Sequence, residues 1–197
     1  ERTDLHVTKV LVRRERPELG DRAVTDIGAI TGDAGIGIVI EVMGGLHPAY
    51  EYICQALRSG KHVVTANKAA ISAFYPELIR LAAENGVTLR CTAAVGGGIP
   101  WLTNLERCKR LDAICEIGGI MNGTTNFIMD AMHAAPVSFP AILKQAQELG
   151  YAEADPSADI DGDDVRRKLT ISANVAVDAL IREEDITMCG IRTGPDG

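Results

Sequence analysis

Aromatic residues are scarce: one tryptophan, four tyrosines and three phenylalanines in 197 residues. Trp101 and the few other rings form no platform of the kind on which single-stranded nucleic acids stack. Positive charge is not concentrated either. The formal net charge is -7, and the basic residues are scattered apart from small knots at residues 13–16 and 166–168. A nucleic-acid surface needs a clustered basic face, so nucleic acid is not expected as a partner. No apolar run approaches the roughly 20 residues of a membrane span, and no membrane association is expected. The five cysteines (Cys54, Cys91, Cys108, Cys115 and Cys189) are odd in number, widely spread and never spaced C-x-x-C. That pattern suggests neither a zinc ribbon nor a disulfide framework, and a reducing, cytoplasmic setting is the natural reading. His6, His47, His62 and His133 show no metal-ligand spacing and read as structural or surface residues.

One further absence is informative. "HVTKVLVR" (residues 6–13) reads as a strand, and so does the Ile/Val-rich "GIGIVIEVMGG" (35–45), whose near-continuous apolar content predicts burial on both faces. "PAYEYICQALRSG" has helical spacing with Gly60 as its stop, and "KHVVTANK" (61–68) is another strand. The helical "FYPELIRLAAENG", ending at Gly86, and a strand over 87–95 complete the alternation. Strand and helix alternating at this spacing mean βαβ units and a parallel sheet. The dinucleotide fingerprint G-x-G-x-x-G belongs after the first strand of such a domain, yet it does not occur. "GDAGIGI" (32–38) has the wrong spacing and precedes a strand. The chain opens at Glu1 without a methionine and ends in a polar "TGPDG". It reads as a fragment of a longer protein whose first strand and phosphate loop lie upstream.

After Gly96 the style changes. "VGGGIP" is a glycine loop with Pro100 placed for the first turn of a helix, and "AICEIGGIMNGTTNFIMDAM" predicts a strand running into a helix. Ser138 is a candidate cap for the helix in "SFPAILKQAQELG", and a last long helix is expected from about Gly162 to Leu180. The expected fold class is α/β: an incomplete Rossmann-like parallel-sheet domain over residues 1–95, then an α+β substrate-binding and dimerisation domain over 96–197.

The chemistry concentrates in "GYAEADPSADIDGDDVRRKLT", residues 150–170. Glu153, Asp155, Asp159, Asp161, Asp163 and Asp164 precede Lys168. An EF-hand loop counted from Asp159 would need glycine at its sixth position and glutamate at its twelfth; Asp164 and Thr170 stand there, which excludes calcium of that type. Asp164 and Lys168 are four apart and share a helix face, as do Asp163 and Arg167. One reading is surface ion pairing, worth only about 0.3–0.5 kcal/mol per pair, with acids near a helix start where the macrodipole favours them. The other is a proton-handling lysine, whose pKa responds readily to burial and charge, beside carboxylates that hold an ammonium-bearing substrate. "VGGGIP" reads either as a tight turn or as a loop exposing carbonyls and amides to a ligand or hard cation. Lys68 in "TANKAA" follows a predicted strand end, where parallel sheets bind ligands, and reads as a solvated charge or a contact.

Taken in order, "VIEVMGG", "GKHVVTANKA", "LAAENGVTLR", "AAVGGGIP", "GIMNGTTNFI" and "AQELGYAEADPSADIDGDDVRRKL" resemble homoserine dehydrogenase from about Ile38 to Asp185. The resemblance implies interconversion of L-homoserine and L-aspartate 4-semialdehyde with NADP or NAD, in the biosynthesis of threonine and methionine. It makes residues 1–95 a partial NAD(P)-binding domain and 96–197 a partial substrate and catalytic domain. By position, Lys168 is similar to the catalytic lysine and Asp164 to its carboxylate partner. Glu153 is similar to a residue that grips homoserine, and Asp159 to one that assists at the substrate ammonium. Lys68 and Gly150 match cofactor-contacting positions, and Gly44 and Gly45 pass close to the cofactor. The backbone carbonyls of Val95, Gly97 and Ile99 match a monovalent cation (Na+) site. The family pattern adds a glutamate three residues before that valine, where this chain has Thr92, a neutral oxygen that cannot replace the charge. Arg13–Arg16 occupy the region that decides between NAD and NADP in such domains, and read either as a 2′-phosphate contact or as plain surface. A homodimer is implied, with "ICEIGGIMN" near the subunit contact. Two other readings stand beside this one: a related amino-acid or semialdehyde oxidoreductase on the same scaffold, and a catalytically silent fragment acting by binding or assembly.

Overall fold

The computed structural model describes residues 4–177 and 180–191. The chain divides into two compact units. One comprises residues up to Ala70 with Pro76–Cys91, the other Ile71–Tyr75 with Thr92 onward.

The first unit is built from parallel strands. β1 (Val10–Leu11) pairs in parallel with β2 (Ala23–Val24), and a one-turn helix α1 (Gly28–Thr31) follows. β3 (Ile38–Glu41), α2 (Ala49–Arg58), β4 (His62–Thr65), α3 (Lys68–Glu84) and β5 (Leu89–Arg90) form two successive βαβ units, with strand order β3-β4-β5. Ile38 pairs with His62 and Glu41 with Thr65. α2 packs on β3 and β4, and its Ile53 and Leu57 are fully buried. Burying a side chain of that size is worth roughly 1.5–3 kcal/mol.

β3 does not match the expectation of burial on both faces. Ile38 and Ile40 are 48% and 67% exposed, while Glu41 is buried. β3 is the edge strand of its sheet, with β4 as its only strand partner among the described residues. Its apolar content therefore serves two faces, of which only one is covered here. The strand expected over residues 6–13 is likewise reduced to two residues, because only those find a partner.

α3 starts six residues earlier than the helix predicted from its spacing, because Asn67 caps it: the Asn67 Oδ1 accepts from the Ala70 N–H at 3.0 Å. Lys68 is thus the first residue of a helix and not a loop residue. The helix is interrupted at Phe74 (φ −133°). Pro76 lacks an N–H and its ring crowds the carbonyl four residues back, which breaks the helical ladder.

The second unit is helical among the described residues: α4 (Trp101–Lys109), α5 (Gly123–Ala134), α6 (Phe139–Glu148), α7 (Ser157–Ile160) and α8 (Asp163–Ala176). The strand expected ahead of α5 is absent among the described residues, since a strand exists only through hydrogen bonds to another strand and none is paired with it. Ile128 on α5, Ile142 and Ala146 on α6, Ala152 and Ile160 make the core, with Phe127, Phe139 and Leu143 packed around it. α4 lies on α8, where the Trp101 Nε1–H donates to the Ser172 Oγ at 2.8 Å. α8 stops at Ala176, short of the expected Leu180. Ser138 sits at the α6 N-cap but makes no capping bond with its side chain. No described helix is long and apolar enough to cross a membrane, and all five cysteines are free thiols.

Candidate active site

The acid-rich segment folds as a chain of short devices. α6 ends in a left-handed glycine stop: Gly150 takes φ +79°, and the Tyr151 N–H reaches back to the Ala146 carbonyl at 2.8 Å. The Tyr151 ring then stacks on Phe127 of α5, centroids 4.7 Å apart. Asp155 accepts from both the N–H (3.1 Å) and the hydroxyl (2.6 Å) of Ser157 and so shapes the entry to α7. Between α7 and α8, Gly162 holds φ +96° and lies so near Met188 that a Cβ would come within 3.0 Å of its Cγ. Only glycine fits there, and that turn aims α8.

On α8, Asp164 and Lys168 meet across one helical turn. The Lys168 Nζ lies 2.7 Å from the Asp164 Oδ2, with the two side chains 17% and 11% exposed. The same Nζ donates to the Met121 carbonyl at 2.6 Å, just ahead of α5. This is no solvated surface pair. An ammonium has three N–H bonds; among the described residues two are engaged here, which leaves the third for a ligand oxygen.

The next residue, Asn122, ties the acids together. Its Oδ1 caps α5 by accepting from the Thr125 N–H at 2.8 Å. Its amide group donates to the Asp159 Oδ1 at 2.6 Å and to the Asp164 Oδ2 at 2.9 Å. The Thr124 hydroxyl lies 2.8 Å from the Asp159 Oδ2 and 2.6 Å from the Tyr151 carbonyl. Lys168, Asp164 and Asp159 are therefore one hydrogen-bonded group, joined through residues that sequence reasoning left without a role. The signal for Asn122 was present as an N-cap residue ahead of an apolar helix, but its second function, bridging carboxylates 37 and 42 positions away, carries no local pattern.

Not every predicted site residue joins this group. Glu153 is exposed, and no bond links it to Lys168, Asp164 or Asn122; its backbone carbonyl accepts from the Gln147 Nε2 at 3.1 Å. The expected Asp163–Arg167 pairing is replaced by Asp163–Arg166 at 2.6 Å, while Arg167 lies 3.6 Å from Glu183. One residue closer on the helix gives Asp163 the shorter reach.

In the first unit, Gly44 and Gly45 are exposed, both at φ +73°, just beyond the carboxyl end of β3. A Cβ at either would meet nothing within 4 Å, so open space lies beside both, and their donor-rich backbone fits the approach of a dinucleotide. Lys68 begins α3. A cation there runs against the helix dipole. Arg13, Arg14 and Arg16 are exposed, with Arg16 held 3.8 Å from Glu18.

The glycine loop of the second unit carries the Val95, Gly97 and Ile99 carbonyls expected at a cation site. The Ile99 carbonyl already accepts from the Trp101 N–H at 2.8 Å, and the Val95 N–H bonds Thr92 through its carbonyl at 3.3 Å. Gly97 sits at φ +58°, Val95 is buried and Ile99 is 65% exposed. No carboxylate joins them, and no group of three or more His, Cys, Asp or Glu that could hold a metal occurs among the described residues.

Comparison with known proteins matches the chain in two parts. Residues 1–92 match the family model "Homoserine dehydrogenase, NAD binding domain", and residues 100–196 match "Homoserine dehydrogenase". The chain is 46% identical over 169 residues to the homoserine dehydrogenase of Synechocystis, covering 86% of this chain and 39% of that one. A homoserine dehydrogenase crystal structure from Thiobacillus denitrificans superposes with TM-score 0.86 at 38% identity, over 95% of this chain and 44% of the other. A hyperthermophilic archaeal homoserine dehydrogenase mutant in complex with NADPH gives TM-score 0.80 at 30% identity, over 91% and 56%. The chain thus spans less than half the length of the curated relative, and it belongs to the homoserine dehydrogenase family.

Proposed function

We propose that this chain contributes the nucleotide- and substrate-handling part of an NAD(P)-dependent homoserine dehydrogenase, interconverting L-homoserine and L-aspartate 4-semialdehyde. The observation that carries the reading is the Lys168 ammonium fixed between Asp164 and the Met121 carbonyl, with Asp159 bound into the same group through Asn122.

In the reductive direction the Lys168 ammonium donates a proton to the carbonyl oxygen of the semialdehyde as that carbon receives hydride. In the oxidative direction the neutral Lys168 amine takes the hydroxyl proton of homoserine as hydride leaves the same carbon. Such positioned proton transfer contributes about 10²–10⁴-fold to rate. Asp164 holds the lysine in place across one helical turn. Asp159 offers a carboxylate to the substrate ammonium, and Glu153, exposed in the structure, supplies a second grip on the amino acid. The nicotinamide cofactor accepts or supplies the hydride when bound; Gly44, Gly45, Lys68 and Gly150 would hold it. We assign the Val95–Gly97–Ile99 carbonyls no step, since Thr92 brings no charge to a cation there.

We place the boundary between the nucleotide domain and the catalytic domain near residue 95, supported by the change of matching family model between residues 92 and 100. A cytoplasmic homodimer completes the reading. Its support is the set of free thiols and the exposure of Leu111 and Ile120, 88% and 80%, beside the proposed subunit contact. The test is homoserine-dependent NAD(P)H formation by the full-length protein bearing this sequence, in competition with other hydroxy amino acids. Preference for homoserine is expected; a cofactor-binding protein that does not turn over homoserine overturns the reading.

A further inference from the structure

Glu41 is 5% exposed, and nothing in the proposed proton transfer uses it. It ends β3 and is the register partner of Thr65 at the end of β4. Its carboxylate is held entirely by neutral donors among the described residues. The Thr65 hydroxyl donates to the Oε2 at 2.5 Å, and the Met43 N–H donates to the Oε1 at 2.6 Å. The Asn67 amide stands 3.5 Å from the Oε1 and donates more closely, at 2.7 Å, to the Gly45 carbonyl. The Thr65 hydroxyl in turn accepts from the Asn67 N–H at 2.9 Å. Asn67 caps α3, whose first residue is Lys68.

A buried carboxylate with incomplete hydrogen bonding is costly, so a side chain this well satisfied holds its neighbours as firmly as they hold it. What it holds is specific. One oxygen fixes the backbone that leads into Gly44 and Gly45, two glycines with no Cβ to restrict them. The other, through Thr65 and Asn67, fixes the start of α3. We infer that Glu41 is a positioning residue that clips the Gly44–Gly45 loop to the Lys68 end of α3 and thereby sets the affinity for the dinucleotide, without taking part in the proton transfer. The inference rests on the proposed cofactor role of those three residues.

Ordering an unpinned loop on binding subtracts from affinity. Replacing Glu41 leaves the Met43 N–H and the Thr65 hydroxyl without their acceptor, which predicts about a tenfold rise in the Kd for NADPH in Glu41→Ala. Glu41→Gln retains one acceptor oxygen and should lose only part of that affinity. Thr65→Val, of the same shape, removes one strut and should raise the Kd by about threefold.

The experiment is NADPH fluorescence titration of the full-length protein and these variants, alongside steady-state kinetics and thermal melts. The expected result is a raised Kd and KM for the cofactor, with KM for homoserine changed by less than about twofold. A purely structural role would not separate the two KM values. If Glu41→Ala does not fold, Thr65→Val carries the test. Unchanged NADPH affinity in the folded variants overturns the inference while leaving the proposed function standing. A wild-type protein that binds neither NADPH nor NADH overturns both.

Discussion

Two buried carboxylates, one in each unit, have opposite kinds of partner. Glu41 is surrounded by a hydroxyl, a backbone amide and a carboxamide; Asp164 faces an ammonium at 2.7 Å and a carboxamide at 2.9 Å. Neutral donors can stabilise a charge but cannot exchange a proton usefully near neutral pH, so Glu41 can only hold backbone in place. A lysine can both stabilise and exchange, so the Asp164 pair can do chemistry. The burial of the two acids is similar, and the partner decides the role.

Several substitutions break or sharpen that contrast. Asp164→Asn keeps the shape but removes the charge that holds Lys168. The expected outcome is a fall in kcat of about 10²-fold or more, with a melting temperature close to wild type, measured by stopped assay and calorimetry. Asn122→Ser comes next. Serine still caps α5 but cannot donate to Asp159 and Asp164 together, so kcat should fall by about tenfold with little loss of stability. Asn122→Ala, which loses the cap as well, should add a stability cost of about 1 kcal/mol, seen as a lower urea midpoint. The smallest effect belongs to Asp163→Asn. The Asp163–Arg166 pair is partly exposed, at 34% and 27%, and its loss should change stability by no more than about 1 kcal/mol and leave kcat unaltered. An effect of Asp163→Asn on kcat as large as that of Asp164→Asn would erase the distinction drawn between the two neighbours.

The parts of this picture that were legible in the sequence are those with local signatures. Glycine stops at Gly60 and Gly86 are both at positive φ, and the βαβ alternation gives the parallel pairing of β3, β4 and β5. The Asp164–Lys168 contact follows from helical spacing alone. What was not legible is what depends on distant partners. Nothing near residue 41 in sequence announces that Glu41 will meet Thr65 and Asn67, 24 and 26 positions on. Nothing in the spacing of "GIMNGTTN" says that its asparagine will bridge two acids on another element. The apolar run of β3 was misread as doubly buried for a related reason: composition reports how much apolar surface a strand carries, and only the neighbours decide how much is covered. The acids themselves, crowded in sequence, separate in space into a buried group around Lys168, a turn shaped by Asp155, and an exposed Glu153.

The measurement that bears most directly on the account is turnover of L-homoserine by Lys168→Ala in the full-length protein, with NADPH affinity and melting temperature measured on the same preparation. Turnover should be lost by about 10²–10⁴-fold, with cofactor affinity and fold preserved. Near-wild-type turnover in a folded Lys168→Ala protein would contradict it.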